Sequence, residues 1–200
     1  SAKTDDTKPE YDPATRDAAR SELVKLQQCD AENLAIWREM IRLSEKQFDE
    51  IYGRLGVKFG HTLGESFYNP RLQSVVGQLT AKGIARDSEG ARAIFSDAPT
   101  PQKGDPFMIH SKGEWVPMPM LIQKSDGGFN YATTDLATIA YRLETWQPQE
   151  IIYVTDGRQQ LHFQQLFATF RRWHPELASK VQLAHVWFGS ILGDDGKPLK

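Results

Sequence analysis

From Tyr131 onward the chain alternates between helix-like and strand-like apolar patterns, and that alternation restricts it to folds built on a parallel sheet. Leu136, Ile139, Ala140 and Leu143 recur at helical spacing, with Pro148 beyond the end of the segment. Ile151, Ile152, Tyr153 and Val154 form the short apolar run expected of a parallel strand buried on both faces. Phe163, Leu166, Phe167 and Phe170 mark the buried face of a second helix. Residues 181–188 read as another strand, and 193–196 (Gly-Asp-Asp-Gly) as a tight turn. A strand ending at Tyr131, followed by a helix capped near Thr133 or Thr134, completes a strand–helix–strand–helix–strand series. The expected class is therefore α/β with a parallel sheet.

The upstream half is less regular. Residues 1–13 are polar and read as a leader or linker, leaving 14–200 as the folded domain. Two helices follow. In the second, Asp30 is placed to cap the N-terminus, and Leu34, Trp37, Ile41, Phe48 and Ile51 recur at helical spacing until Gly53 and Gly56 stop it. Residues 57–67 read as extended. Asn69-Pro70 then reads as a capping residue and a first-turn proline, opening a helix whose buried face is Leu72, Val75, Val76 and Leu79 and which Gly83 ends. Between Gly90 and Tyr131 the pattern is of strands interrupted by Pro and Gly. Residues 118–123 form strand core there, with Met118 and Met120 as packing residues. The region is an inserted helical and β portion of the α/β domain.

Composition narrows the functions. With 24 Lys and Arg against 26 Asp and Glu, the formal net charge of −2 does not fit a wholly basic nucleic-acid module. The single cysteine, Cys29, excludes an internal disulfide and fits a reducing compartment, which places the protein in the cytoplasm. No apolar run approaches the ~18 residues of a membrane helix. His61, His110, His174 and His185 are scattered without metal-ligand spacing, so no protein-bound metal is expected. The cluster Arg171-Arg172-Trp173-His174 could touch nucleic acid by charge and stacking, and reads more readily as a solvated helix end. There is no Walker-type loop, no G-x-G-x-x-G and no G-x-S-x-G.

In an open parallel sheet, ligands gather beyond the carboxyl ends of the strands, and three sets of side chains fall there. Tyr131 and Asp135 stand four apart at a helix start; the carboxylate either complements the helix dipole or faces a cationic ligand. Asp156, Arg158, Gln159, Gln160 and His162 crowd a strand end, as a ligand site or as a capped, solvated helix start. Asp194 and Asp195 read as turn residues, whereas Lys197 and Lys200 are lysines that can neutralise phosphates near a strand end.

Taken in order, the motifs resemble arginyl-tRNA synthetase. They are residues 64–70 (Gly-Glu-Ser-Phe-Tyr-Asn-Pro), 123–128 (Gln-Lys-Ser-Asp-Gly-Gly), Tyr131-Ala-Thr-Thr-Asp135, Ile152-Tyr-Val154, Gln159-Gln-Leu-His162, His185-Val-Trp-Phe-Gly189 and the 192–200 tail. The resemblance runs from about Ala14 to Lys200. It implies a class I aminoacyl-tRNA synthetase with a Rossmann-type catalytic domain, an ATP-dependent arginine–tRNA ligase whose partners are L-arginine, ATP (accompanied by Mg2+) and tRNA. It assigns Tyr131, Asp135 and Gln159 to arginine, His162, Phe188 and Gly189 to ATP, and Lys197 and Lys200 to charge stabilisation on the triphosphate. The chemistry agrees for Asp135, because a carboxylate is the best partner for a planar, permanently charged guanidinium.

The family's His-x-Gly-His signature has no counterpart here, and position 199 is Leu where Phe is expected. The expectation is accordingly a partial catalytic domain, lacking the anticodon-binding domain and unable to make arginyl-adenylate alone. The alternatives are a non-catalytic arginine- or tRNA-binding module of the same fold, and another nucleotidyl-transferring enzyme.

Overall fold

The structure is a computed structural model that describes residues 12–27, 30–100, 102–194 and 196. Cys29, Lys197 and Lys200 lie outside the described residues. The chain divides into two compact units, the first running to Thr62 and the second starting at Leu63.

The first unit is helical. Helix α1 spans Pro13–Gln27 and α2 spans Ala31–Leu55. Asp30 caps α2 as its sequence position predicts, its carboxylate accepting from the Asn33 backbone N–H at 3.0 Å. Gly53 lies inside the helix, and the stop falls at Gly56 alone. There the backbone turns left-handed (φ +68°), and the N–H groups of Gly56 and Val57 reach back to the carbonyls of Gly53 and Tyr52. The apolar stripe of α2 is real as a pattern but not as a core: Leu34 and Trp37 are half-buried, Ile41, Phe48 and Ile51 exposed, and no residue of α2 is buried.

The second unit is mixed α/β. A 3₁₀ turn at Glu65–Tyr68 leads directly into α3 (Asn69–Ala81), so the end of the stretch expected to be extended is helical. Asn69 is a residue of α3 rather than its cap, with Pro70 in the first turn. Strands β1 (Ala85–Ser88), β2 (Ala91–Ile94) and β5 (Met120–Gln123) form an antiparallel sheet in the order β1-β2-β5. Strands β3 (Met108–Ser111) and β4 (Glu114–Pro117) form a separate hairpin. Both tight turns, Glu89-Gly90 and Lys112-Gly113, hold two successive residues at positive φ, the twist that suits a two-residue hairpin.

Helix α4 (Tyr131–Trp146), strand β6 (Glu150–Asp156), helix α5 (Gln160–Trp173), the short α6 (Pro175–Ala178) and strand β7 (Gln182–Phe188) complete the chain order. Strands β6 and β7 pair in parallel from Glu150↔Gln182 to Asp156↔Phe188, with α5 between them in sequence. The expected parallel βαβ unit is therefore present. The preceding strand, however, belongs to the antiparallel sheet and ends at Gln123, not at Tyr131.

Asn130 caps α4, accepting from the Tyr131 N–H at 3.0 Å, while the Thr133 hydroxyl is committed to the Ile122 carbonyl. The cap thus sits three residues earlier than Thr133, which places Asp135 beyond the first turn. That weakens the simple helix-dipole explanation for its carboxylate.

One core joins these layers: Leu72, Val75, Val76 and Leu79 from α3, Leu136 and Ile139 from α4, Ile151 and Tyr153 from β6, and Phe163, Leu166 and Phe170 from α5. Three readings change here. In β6, burial alternates, with Ile151 and Tyr153 buried but Ile152 and Val154 exposed, because α4 and α5 residues cover one face only. Met118 is exposed while Met120 is buried. The end of α5 is not simply solvated: Trp173 is fully buried, and Arg172 donates to the Phe95 carbonyl at 2.8 Å and pairs with Asp97.

Candidate functional site

Helix α4, the C-terminal half of β6 and the start of α5 enclose a cleft of about 530 Å³. Tyr131, Thr134, Asp135, Thr138 and Arg142 all line it. Their spacing is that of one helical face, so a single stripe of α4 supplies one wall. Tyr153 and Thr155, two apart on the same face of β6, supply the floor. Arg158, Gln159, His162 and Phe163 close it from the turn and first turn of α5, and Leu63, Glu65 and Tyr68 contribute from the segment before α3.

The sharpest contact in the cleft joins α4 to α5. His162 Nε2 lies 2.6 Å from Asp135 Oδ2. The His162 side chain is only 10% exposed, against 31% for Asp135. Its ring meets Tyr131 edge-on at 4.8 Å and Phe163 at 5.2 Å, so the imidazole is held on both sides. Behind it, Phe163 stacks on His185 at 4.3 Å, and His185 Nε2 lies 2.8 Å from Thr155 Oγ1.

At the end of β6, Asp156 accepts two hydrogen bonds from the Arg158 guanidinium (3.1 and 2.9 Å) and one from the Arg158 backbone N–H (2.8 Å). The paired guanidinium, followed by the backbone donor, lowers the Asp156 carboxyl to about 2. Deeper in the cleft, burial pushes the Tyr153 phenol well above its ordinary range against the opposing pull of the Arg142 guanidinium; among the described residues no group meets its hydroxyl in hydrogen-bond geometry.

Tyr131, Asp135, Gln159 and His162 are therefore brought together in one cleft, as the sequence spacing suggested for the first two and left open for the others. The structure associates His162 with the Asp135 carboxylate. Phe188 and Gly189 stand apart from the cleft lining at the end of β7, beside the Gly157 turn: a Cβ on Gly157 would sit 3.3 Å from Trp187 Cδ1 and 3.8 Å from the Phe188 carbonyl. Phe188 is exposed there, and a Cβ on Gly189 would meet nothing within 4 Å.

Sequence reasoning missed Thr138, Arg142, Tyr153 and Glu65. Thr138 and Arg142 were signalled by their places seven and eleven residues after Tyr131 on the same helix face. Tyr153 carried no such sign, since an aromatic in an apolar strand reads as core. Among the described residues, no group of three His, Cys, Asp or Glu side chains is placed to hold a metal.

The cleft lining combines the Asp135 and Glu65 carboxylates with the Arg142 and Arg158 guanidinium groups, the Tyr131 hydroxyl, the Gln159 amide and the His162 imidazole. The model of the family described as tRNA synthetases class I (R), catalytic domain, matches residues 3–200. The chain is 45% identical over 193 residues to an arginine–tRNA ligase of Frankia casuarinae, covering 94% of this chain and 30% of that protein. It is likewise 45% identical over 183 residues to an arginine–tRNA ligase of Rhodopirellula baltica, covering 92% of this chain and 24% of that one. The crystal structure of arginyl-tRNA synthetase from Plasmodium falciparum superposes with a TM-score of 0.71 at 29% identity, covering 90% of this chain and 29% of that chain. The chain spans less than a third of the length of these relatives.

Proposed function

The chain belongs to the family of class I (R) tRNA synthetase catalytic domains, and on that premise we propose that it carries the arginine-recognition part of an ATP-dependent arginine–tRNA ligase. The reaction is two-step. The arginine carboxylate attacks the α-phosphate of ATP, forming arginyl-adenylate and releasing pyrophosphate; a hydroxyl at the end of tRNA then takes the arginyl group as the acyl–phosphate bond breaks and AMP leaves.

In this reading Asp135 binds the guanidinium, and Tyr131 and Gln159 supply neutral contacts beside it. A guanidinium keeps its charge at any physiological pH, and a carboxylate gives it charge-assisted hydrogen bonds stronger than a neutral acceptor's. Phe188 and Gly189 form the surface on which adenine lies. Lys197 and Lys200 neutralise charge developing on the triphosphate, with Mg2+ carried by the nucleotide as its counter-ion. The partners are arginine, ATP and tRNA, and the setting is the cytoplasm, where translation consumes the product. Among the described residues no helix is long and apolar enough to cross a membrane.

The observation that carries the reading is the Asp135 carboxylate on the wall of a cleft shared with Tyr131 and Gln159. Calorimetric titration of the chain with L-arginine, beside L-lysine, tests it. Selective binding of arginine is expected. Equal affinity for lysine would point to a general cation site and count against arginine recognition.

A further inference from the structure

We propose that His162 is a positioning residue for the cation site: it orders the Asp135 carboxylate through Oδ2 and leaves Oδ1 as the oxygen presented to the ligand. The inference rests on the arginine reading of this cleft but assigns His162 a different task from nucleotide binding.

The geometry leads there in three steps. An aspartate carboxylate rotates broadly about its last side-chain bond, and the Asp135 side chain, 31% exposed, is not held by burial. His162 Nε2, at 2.6 Å, does hold it, and since a carboxylate only accepts, Nε2 must be the donor. The imidazole is itself 10% exposed and edge-on to both Tyr131 and Phe163, the latter buried in the core, so the carboxylate inherits the order of α5. Among the described residues Oδ1 has no hydrogen-bond partner, Oδ2 taking the His162 contact. A ligand cation thus meets an acceptor already oriented, and the ordering is done before binding. Asp135 comes from α4 and His162 from α5, 27 residues apart, so the pair also requires the two helices to keep their packing.

The test is a set of calorimetric titrations with L-arginine and L-citrulline on the wild-type chain, His162→Ala and His162→Gln, joined to 15N spectra of the His162 ring in the wild-type chain and in Asp135→Asn. Citrulline keeps arginine's shape without its charge. His162→Ala is expected to weaken arginine about tenfold and to lower the arginine-over-citrulline ratio. His162→Gln, whose side-chain amide can donate to Oδ2, is expected to recover most of both, and it serves where the Ala variant folds poorly.

Unchanged affinity and ratio in His162→Ala would overturn the proposal while leaving the arginine reading standing. So would equal losses for both ligands with no rescue by Gln, because that is the signature of a structural role. If the wild-type chain binds neither ligand, the arginine reading fails for this chain and the spectra decide. A ring protonated at Nε2 whose signal shifts in Asp135→Asn supports the pairing, and a signal that does not move overturns it.

Discussion

The guanidinium carbon of Arg142, on the α4 wall of the cleft, stands 5.2 Å from the centre of the Tyr153 ring on its floor, and the buried Tyr153 hydroxyl has no hydrogen-bond partner among the described residues. A buried hydroxyl without a partner loses its hydration and gains nothing in return. The ring does the stabilising here, through the cation above it and through Phe163 and Phe167 at 4.8 and 5.8 Å. Tyr153→Phe keeps those contacts and removes only the oxygen. Urea unfolding of the variant is expected to show stability unchanged or raised by up to about 1 kcal/mol. A measurable loss of stability would mean the hydroxyl has a partner in solution.

Asp156 and Arg158 give the site a pH dependence whose sign follows from the lowered carboxyl. The folded value lies at about 2, below the ordinary 3.8. The group therefore favours the folded state fully above the ordinary carboxylate range, and that contribution is lost as pH falls from about 4 toward 2. In Arg158→Met the two guanidinium hydrogen bonds vanish, leaving the backbone donor and the Gln159 side chain. A carboxyl 13C NMR titration should find the Asp156 midpoint at about 2 in the wild type and shifted up toward the ordinary value in the variant. A midpoint that stays low without Arg158 would show that the backbone donor and the Gln159 side chain set it.

Gln165 ties α5 to the loops around β3 and β5. Its side-chain amide donates to the Pro106 carbonyl at 3.0 Å and to the Met118 carbonyl at 2.7 Å, and the residue is buried. Gln165→Leu keeps most of the bulk and removes both donors at once. A cost of about 1–3 kcal/mol is expected, read as a lower denaturation midpoint, because two carbonyls lose that partner. An unchanged midpoint would show that water replaces the amide without penalty.

What could be read before folding was whatever has a period. Phe163, Leu166, Phe167 and Phe170, and equally Leu72, Val75, Val76 and Leu79, are buried where their spacing puts them. Strand β1 (Ala-Arg-Asp-Ser) has no β-branched residue and no alternation, and its existence depends on pairing with β2 across the Glu89-Gly90 turn. The start of α4 was misplaced because Asn130, Thr133 and Thr134 all have capping chemistry. Only the tertiary bond from Thr133 to the Ile122 carbonyl decides among them. Ile152 and Val154 look buried in sequence, since an apolar run does not say how many faces of a sheet are covered.

The site divides the same way. Tyr131 and Asp135 are one helical turn apart and could be paired from sequence alone. The Asp135–His162 contact spans 27 residues and two helices, so it exists only once α4 and α5 pack.

The central claim is that the Asp135 carboxylate reads the charge of arginine. The most direct measurement is a cycle of four affinities: L-arginine and L-citrulline, each titrated into the wild-type chain and into Asp135→Asn. Charge-assisted hydrogen bonds at a partly exposed carboxylate contribute about 1.5–3 kcal/mol. Arginine should therefore lose roughly tenfold to a hundredfold in the variant while citrulline changes little, a coupling of at least about tenfold between ligand charge and side-chain charge. If Asp135→Asn weakens both ligands alike, or neither, the carboxylate does not read the charge and the account is contradicted.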